Sequence, residues 1–242
     1  LEFPVVNDDS FARESLAGRT PEALLAGLAE RLDAAGPPLV RATATLQTLD
    51  PVIGAVLFRW QRRDGRAVRD SFRRHGAGSM LDDWRETPFY ALYHGEPSQL
   101  RFRLDDPEIG ATFPLLEELR AAGATDYIAT KVPFGARGAG EGVMSAWATD
   151  RPGGFTGQDL ADLEALWPMF HLAVHTAALS AGANTVLTTY LGRDTARRVL
   201  AGAVQRGVPD RLEAVLWSSD LSGFTRLADT EPQERVIDLL NA

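Results

Sequence analysis

The sequence predicts an α+β fold in which an antiparallel sheet is flanked by helices. Three observations carry that reading. Short runs rich in Val, Thr, Leu and aromatic residues recur between residues 40 and 149, several with apolar–polar alternation. Most of these runs are close neighbours joined by short turns, which favours antiparallel pairing over crossover connections. Helical stripes with recognisable caps stand before the runs, between them and after them.

Along the chain, Thr20-Pro21-Glu22 opens a helix, with Thr20 as N-cap and Pro21 in the first turn. Leu24, Leu25, Leu28 and Leu32 give it one apolar face, and Gly36-Pro37-Pro38 ends it. Val40–Leu49 and Val52–Trp60 read as strands. Asp64-Gly65 signals a hairpin, with Ala67–Phe72 as the returning strand. Leu81–Tyr93 reads as a helix broken at Pro88, Gln99–Leu104 as a strictly alternating strand, and Phe113–Ala122 as a short helix ending at Gly123. Thr125–Pro133 and Gly142–Thr149 form the next strand pair around a glycine-rich loop, 135–142. Thr156 then caps a helix. Asp159 completes its capping box, Phe155 serves as staple, and the stripe Leu160, Leu163, Leu166, Phe170, Ala173, Val174 and Ala177 follows. Pro168 is expected to kink it. Thr185–Leu191 and Thr195–Ala201 are helical and lead to a strand at Ala214–Trp217. A last helix starts near Thr230.

Composition narrows the function classes. The 242 residues are 45% hydrophobic and 24% charged, as in ordinary globular proteins. A net charge of -8 argues against a nucleic-acid partner. With no cysteine, the chain cannot form disulfides, thiolate metal sites, a thiol nucleophile or a thioether-linked bilin. Lys131 is the single lysine, which we attribute to genomic base composition. Leu1-Glu-Phe-Pro-Val-Val lacks the basic start and apolar core of a secretory signal, so a cytoplasmic location is expected. It also lacks an initiator methionine, as expected of part of something longer. Residues 165–192 carry no Asp, Glu, Lys or Arg, but His171, His175 and several small polar residues interrupt them. A helix buried in an interface is favoured over a membrane span.

Two resemblances sharpen the reading. Residues 128–174, through Val132-Pro133, the small-residue hairpin, Gly142-Val-Met-Ser145, Pro152-Gly-Gly-Phe-Thr156 and the closing helix, resemble the second half of a GAF domain. A PAS-like sensor is the alternative. The segment Ser219-Asp-Leu-Ser-Gly-Phe-Thr225 closely resembles the first strand and turn of bacterial-type class III adenylate/guanylate cyclases, and the likeness extends over 190–242. Together they imply an N-terminal extension (1–19), a GAF-like sensor (20–180), a helical coupling linker (181–209) and the start of a cyclase catalytic domain (210–242).

The cyclase resemblance implies that Asp220 binds Mg²⁺ (or Mn²⁺), Leu221 lends its carbonyl, and Ser222, Gly223, Phe224 and Thr225 line a phosphate site. The parent would be a phosphorus–oxygen lyase converting ATP (or GTP) to a 3′,5′-cyclic nucleotide and pyrophosphate. The second metal aspartate, the base-reading residues and the transition-state residues are missing here, so the chain alone is expected to be inactive. Expected partners are a second copy, through the C-terminal helices, and a small-molecule effector. The full-length protein would add a nucleoside triphosphate; no nucleic acid or membrane is expected. A self-contained ligand-binding module without a cyclase parent is the alternative.

Among residues outside the motifs, Trp60, Tyr127, Lys131 and Trp147 lie in or beside predicted strands and are candidates for a sensor pocket, against a default of core packing. His171 and His175 stand one helical turn apart, a spacing open to a metal but favouring a packed pair. The arginines from Arg62 to Arg74 read as a solvated strand face, and the 135–142 loop as a flexible hairpin.

Overall fold

The computed structural model describes residues 8–48, 50, 52–74, 84–95, 97–106, 113–134, 142–202, 213 and 215–241. The chain divides into two compact units, Leu1–Ala203 and Val204–Ala242.

The first unit is built on six strands: β1 (Leu39–Gln47), β2 (Ile53–Gln61), β3 (Arg66–Arg73), β4 (Gln99–Arg103), β5 (Asp126–Pro133) and β6 (Gly142–Thr149). Their order is β3-β2-β1-β6-β5-β4, and every neighbouring pair is antiparallel. The predicted antiparallel sheet flanked by helices is therefore what the chain forms. The β2–β3 hairpin turns through Gly65, at φ +60°, a conformation glycine adopts without strain.

One face of the sheet is covered by α1 (Asp8–Leu16), α2 (Pro21–Ala35) and the first half of α5 (Gly157–Leu191). Trp60, Trp147, Phe58, Ile128, Phe11, Leu24, Leu28 and Phe170 make the core there. Each such fully buried large side chain contributes about 1.5–3 kcal/mol. Among the described residues, the opposite face is covered by two short helices, α3 (Pro88–His94) and α4 (Pro114–Ala121).

The caps form as the sequence predicts. Thr20 Oγ1 accepts the Ala23 N–H at 3.3 Å, and Thr156 and Asp159 close a complete capping box at the start of α5. Asp126 fixes that start to the sheet. Fully buried, it accepts from Arg101 at 2.6 Å and from the Phe155 N–H at 2.9 Å, while Arg101 also donates to the Phe155 carbonyl at 2.8 Å. The backbone passes over it at Gly154, at φ +72°, where a Cβ would overlap the Asp126 carboxylate.

The break expected at Pro88 forms: residues 84–85 are helical, 86–87 are a turn and bend, and Pro88 opens α3, where its missing N–H costs nothing; residues 81–83 lie outside the described residues. Other elements differ from expectation. The stretch 185–191 is not separate: α5 runs through Pro168 and on to Leu191, and Gly192 at φ +76° divides it from α6 (Arg193–Leu200). Among the described residues, no helix is long and apolar enough to cross a membrane.

The second unit holds α7 (Phe224–Thr230) and α8 (Gln233–Asn241), with Pro232 between them. Among the described residues, the strand expected at 214–217, the first strand of the cyclase-like start, does not form. Residues 215–220 lie in neither helix nor strand, and Val215, Leu216 and Trp217 are exposed. A strand is stabilised by a neighbour's ladder and side chains, and the described residues of this unit supply no second strand.

Candidate functional site

Strand register decides what each face offers. On the face under α3 and α4, the central strands present alanines: Ala146 and Ala148 on β6 and Ala129 on β5. Small side chains at the middle of a sheet leave a hollow unless large ones reach in from the helices. Here Phe89 of α3 and Leu115 of α4 cover it without filling it, and a cavity of about 120 Å³ remains.

The rest of its lining is mixed. Leu57 is apolar; Arg41, Thr43, Thr87 and Tyr127 are polar. The threonine hydroxyls are engaged, Thr43 donating to the Ala146 carbonyl at 3.4 Å and Thr87 to the Trp84 carbonyl at 2.8 Å. Tyr127 differs. It is 3% exposed, and its hydroxyl is buried without a hydrogen-bond partner. The oxygen is sealed off from the hollow as well as from solvent, so the residue contributes to the wall through its ring, and the unmet polar group costs stability. Burial pushes the phenol's pKa up, with the Arg41 charge opposing, so it stays a proton donor at neutral pH.

Arg41 supplies the charge. Its guanidinium donates to Glu118 at 3.3 Å, but the Glu118 side chain is 70% exposed while that of Arg41 is 15% exposed. Burial lowers the Arg41 pKa, Glu118 opposes the shift, and nearby Arg59 adds to it. Arg59 itself pairs with Asp70 at 3.2 Å and keeps a buried Nε without a partner. The cavity thus combines an apolar floor, the ring of a buried tyrosine and an arginine paired with Glu118.

The four sequence-predicted pocket residues separate. Trp60 and Trp147 belong to the core under α2 and α5, where Trp147 Nε1 donates to Ser145 Oγ at 3.1 Å. Lys131 Nζ donates to the carbonyls of Leu92 at 2.5 Å and Gly95 at 3.2 Å, a cation closing the C-terminal end of α3. Only Tyr127 lines the cavity. The sequence reading missed Arg41, Thr43 and the alanines. The pattern Ala146-Trp147-Ala148, small on one face and large on the other, was the available signal.

Other candidates resolve as packing. His171 is fully buried. Its Nε2 lies 2.8 Å from Ser145 Oγ, and burial pulls its pKa down to about 3, so it is a neutral core histidine. The His175 ring lies 4.6 Å from that of Phe134, and His175 borders a second, larger hollow of about 240 Å³ beside Thr20, Phe58, Arg69 and Gly182. Arg62 is not merely solvated, since it joins Asp33 at 3.1 Å and Asp150 at 2.8 Å across the sheet end. Residues 135–141 lie outside the described residues.

In the second unit, Asp220, Leu221, Ser222, Gly223 and Thr225 are exposed and Phe224 is partly buried. Gly223 adopts the left-handed conformation, and the Phe224 N–H donates to the Leu221 carbonyl at 3.0 Å, so a tight turn leads into α7. Among the described residues, no group of three or more His, Cys, Asp or Glu side chains could hold a metal. A single exposed carboxylate falls short of the oxygen ligand set that Mg²⁺ takes, so the residues present do not fit the ion by themselves.

No protein-family model and no curated protein matches the sequence. Among solved structures, the chain is similar to the N-acylhomoserine lactone-dependent LuxR family transcription factor CepR2 from Burkholderia cenocepacia, at 14% identity and a TM-score of 0.37, covering 72% of this chain and 95% of that one. It is also similar to the phycoerythrobilin-bound GAF domain from a cyanobacterial phytochrome, at 12% identity and a TM-score of 0.42, covering 72% of this chain and 97% of that one. The fold assignment itself rests on the strand order and register of this chain, an α+β unit with one antiparallel six-stranded sheet.

Proposed function

We propose that residues 20–180 are a GAF-like sensory module that holds a small molecule in the cavity under α3 and α4. The observation that carries this reading is the alanine-floored hollow of about 120 Å³ between the sheet and the two short helices, with Arg41 in its lining. A core built only for stability would have filled that volume. Native mass spectrometry of the gently purified 242-residue chain tests it. A small-molecule adduct on the wild type, lost in Ala146→Leu, supports the module. No adduct, together with no ligand-induced rise in melting temperature across a metabolite panel, removes it.

The finer reading is that α5 and α6 couple this module to a class III cyclase whose catalytic domain begins near residue 210. The turn at Ser222-Gly223 leading into α7 agrees with the family's phosphate-binding turn. Leu172, Leu179, Tyr190 and Leu191 on α5 are exposed and favour a second copy as the coupling partner. A longer version of the chain, extended along its reading frame, should form cyclic nucleotide from ATP and lose that activity in Asp220→Asn. A dimer mass is expected at micromolar concentration, and a strict monomer ends the coupling idea.

A further inference from the structure

We infer that the larger hollow, under the far half of α5, is a second binding site, and that its ligand is a free aliphatic α-amino acid, held by Arg69 through its carboxylate and by Glu22 through its ammonium. This hollow lies on the other side of the sheet from the cavity beneath α3 and α4, and the inference does not rest on the reading proposed for that cavity.

The hollow forms where α5 carries small residues. Ala178, Ala181 and Gly182 stand over the ends of β1 and β2, and the buried Leu46, Val56 and Phe58 make the floor. Leu46 and Val56 are cross-strand partners, and Phe58 is the partner of Arg69 on the edge strand β3. Partners in an antiparallel pair send their side chains to the same face, so Arg69 joins the hollow from the edge. Glu22 joins it from the first turn of α2.

The neutral polar groups around the rim are spent. The Thr20 hydroxyl accepts the Ala23 N–H, Thr48 donates to the Ile53 carbonyl, and Thr185 donates to the Ala181 carbonyl. Asp50 accepts the N–H groups of Val52 and Ile53 at 2.7 and 2.8 Å. Arg69 and Glu22 differ. Among the described residues neither side chain makes a hydrogen bond or an ion pair, and Arg69 feels the Asp50 charge only from beyond ion-pair distance. Arg69 is exposed and Glu22 half-buried, so an incoming molecule reaches both. A simple carboxylate would leave Glu22 unmet, and a simple amine would leave Arg69 unmet. A zwitterion gains a charge-assisted hydrogen bond at each, while its hydrocarbon covers the apolar floor. Size sets the last limit. An apolar cavity of about 150 Å³ accommodates benzene, so one of about 240 Å³ suits about nine or ten non-hydrogen atoms, the size of leucine or isoleucine.

The test is isothermal titration of the 242-residue chain, stripped of small molecules by unfolding and refolding. The probes are L-leucine, 4-methylpentanoate, which lacks the ammonium, and isoamylamine, which lacks the carboxylate. For a ligand of this size the expected Kd for leucine lies between about 10 μM and 1 mM. Each single-charge analogue should bind at least about tenfold more weakly. Arg69→Gln should weaken leucine about tenfold and leave isoamylamine unchanged, whereas Glu22→Gln should weaken leucine as much and leave 4-methylpentanoate unchanged. A merely structural role would not divide the analogues in that way. Gly182→Leu should abolish binding, because a Cβ there meets nothing within 4 Å and leucine is the better helix former, so the side chain fills the hollow with the fold intact. Four results each overturn the assignment: no saturation by leucine up to about 10 mM, an analogue that binds as tightly as leucine, unchanged leucine affinity in either charge variant, or binding retained in Gly182→Leu.

Discussion

Replacing Tyr127 with Phe should make the ligand-free protein more stable. A substitution deep in a core usually destabilises, so the expected sign is opposite to the default. The ring is 3% exposed and packs in a cluster with Phe102, 6.3 Å away between centroids. Phe preserves that packing and removes only an oxygen with no partner. A buried hydroxyl left unsatisfied costs about 1–3 kcal/mol. A gain of roughly 1 kcal/mol follows, which for a unit of this size is a rise of about 2–4 °C in Tm. Urea titration and thermal melts followed by circular dichroism, on protein stripped of small molecules, measure it. A loss of more than about 1 kcal/mol in the stripped protein would show that the hydroxyl has a strong partner, and would refute the reasoning.

Three further outcomes are expected. Ala146→Leu should fill the hollow, abolish ligand binding and change stripped-protein stability by no more than about 1–3 kcal/mol, as measured by the same melts. Gly154→Ala should cost about 1 kcal/mol or more in urea titrations, since it places a side chain at φ +72° against the Asp126 carboxylate. His171 should produce an acid-labile core. Its folded pKa is depressed to about 3, below the ordinary value of 6.5, so the unfolded chain binds the extra proton between those pH values. Stability should therefore fall as pH drops below 6.5, by up to about tenfold in the unfolding constant per pH unit, and His171→Gln should flatten that slope.

Local signals in the sequence were read well where one residue's chemistry decides the outcome. Thr20, the Thr156–Asp159 box and the Gly65 turn each satisfy or release their own backbone, so no distant partner is needed. Features that depend on a neighbour were read less well. Val215–Trp217 has the composition of a buried strand, but composition supplies no ladder, and the segment stays exposed. The candidate pocket failed on parity. Tyr127 pairs with Ala148, whereas Trp147 pairs with Ile128, so adjacent residues of β6 serve opposite faces. A shift of one residue in register would exchange them, and register is invisible until strands are paired. Arg41 escaped notice for a related reason: a lone arginine in a strand reads as a solvated edge until the helices above it are placed.

Asp126 and Tyr127 are consecutive residues, and a strand sends consecutive side chains to opposite sides. One therefore grips the origin of α5 while the next walls the hollow beneath α3 and α4. They share a single peptide unit, itself pinned between β4 and β6 by the register Arg103↔Asp126↔Thr149. One peptide unit thus joins the anchor of a thirty-five-residue helix to the wall of the hollow, so a backbone change at this point is felt on both faces of the sheet.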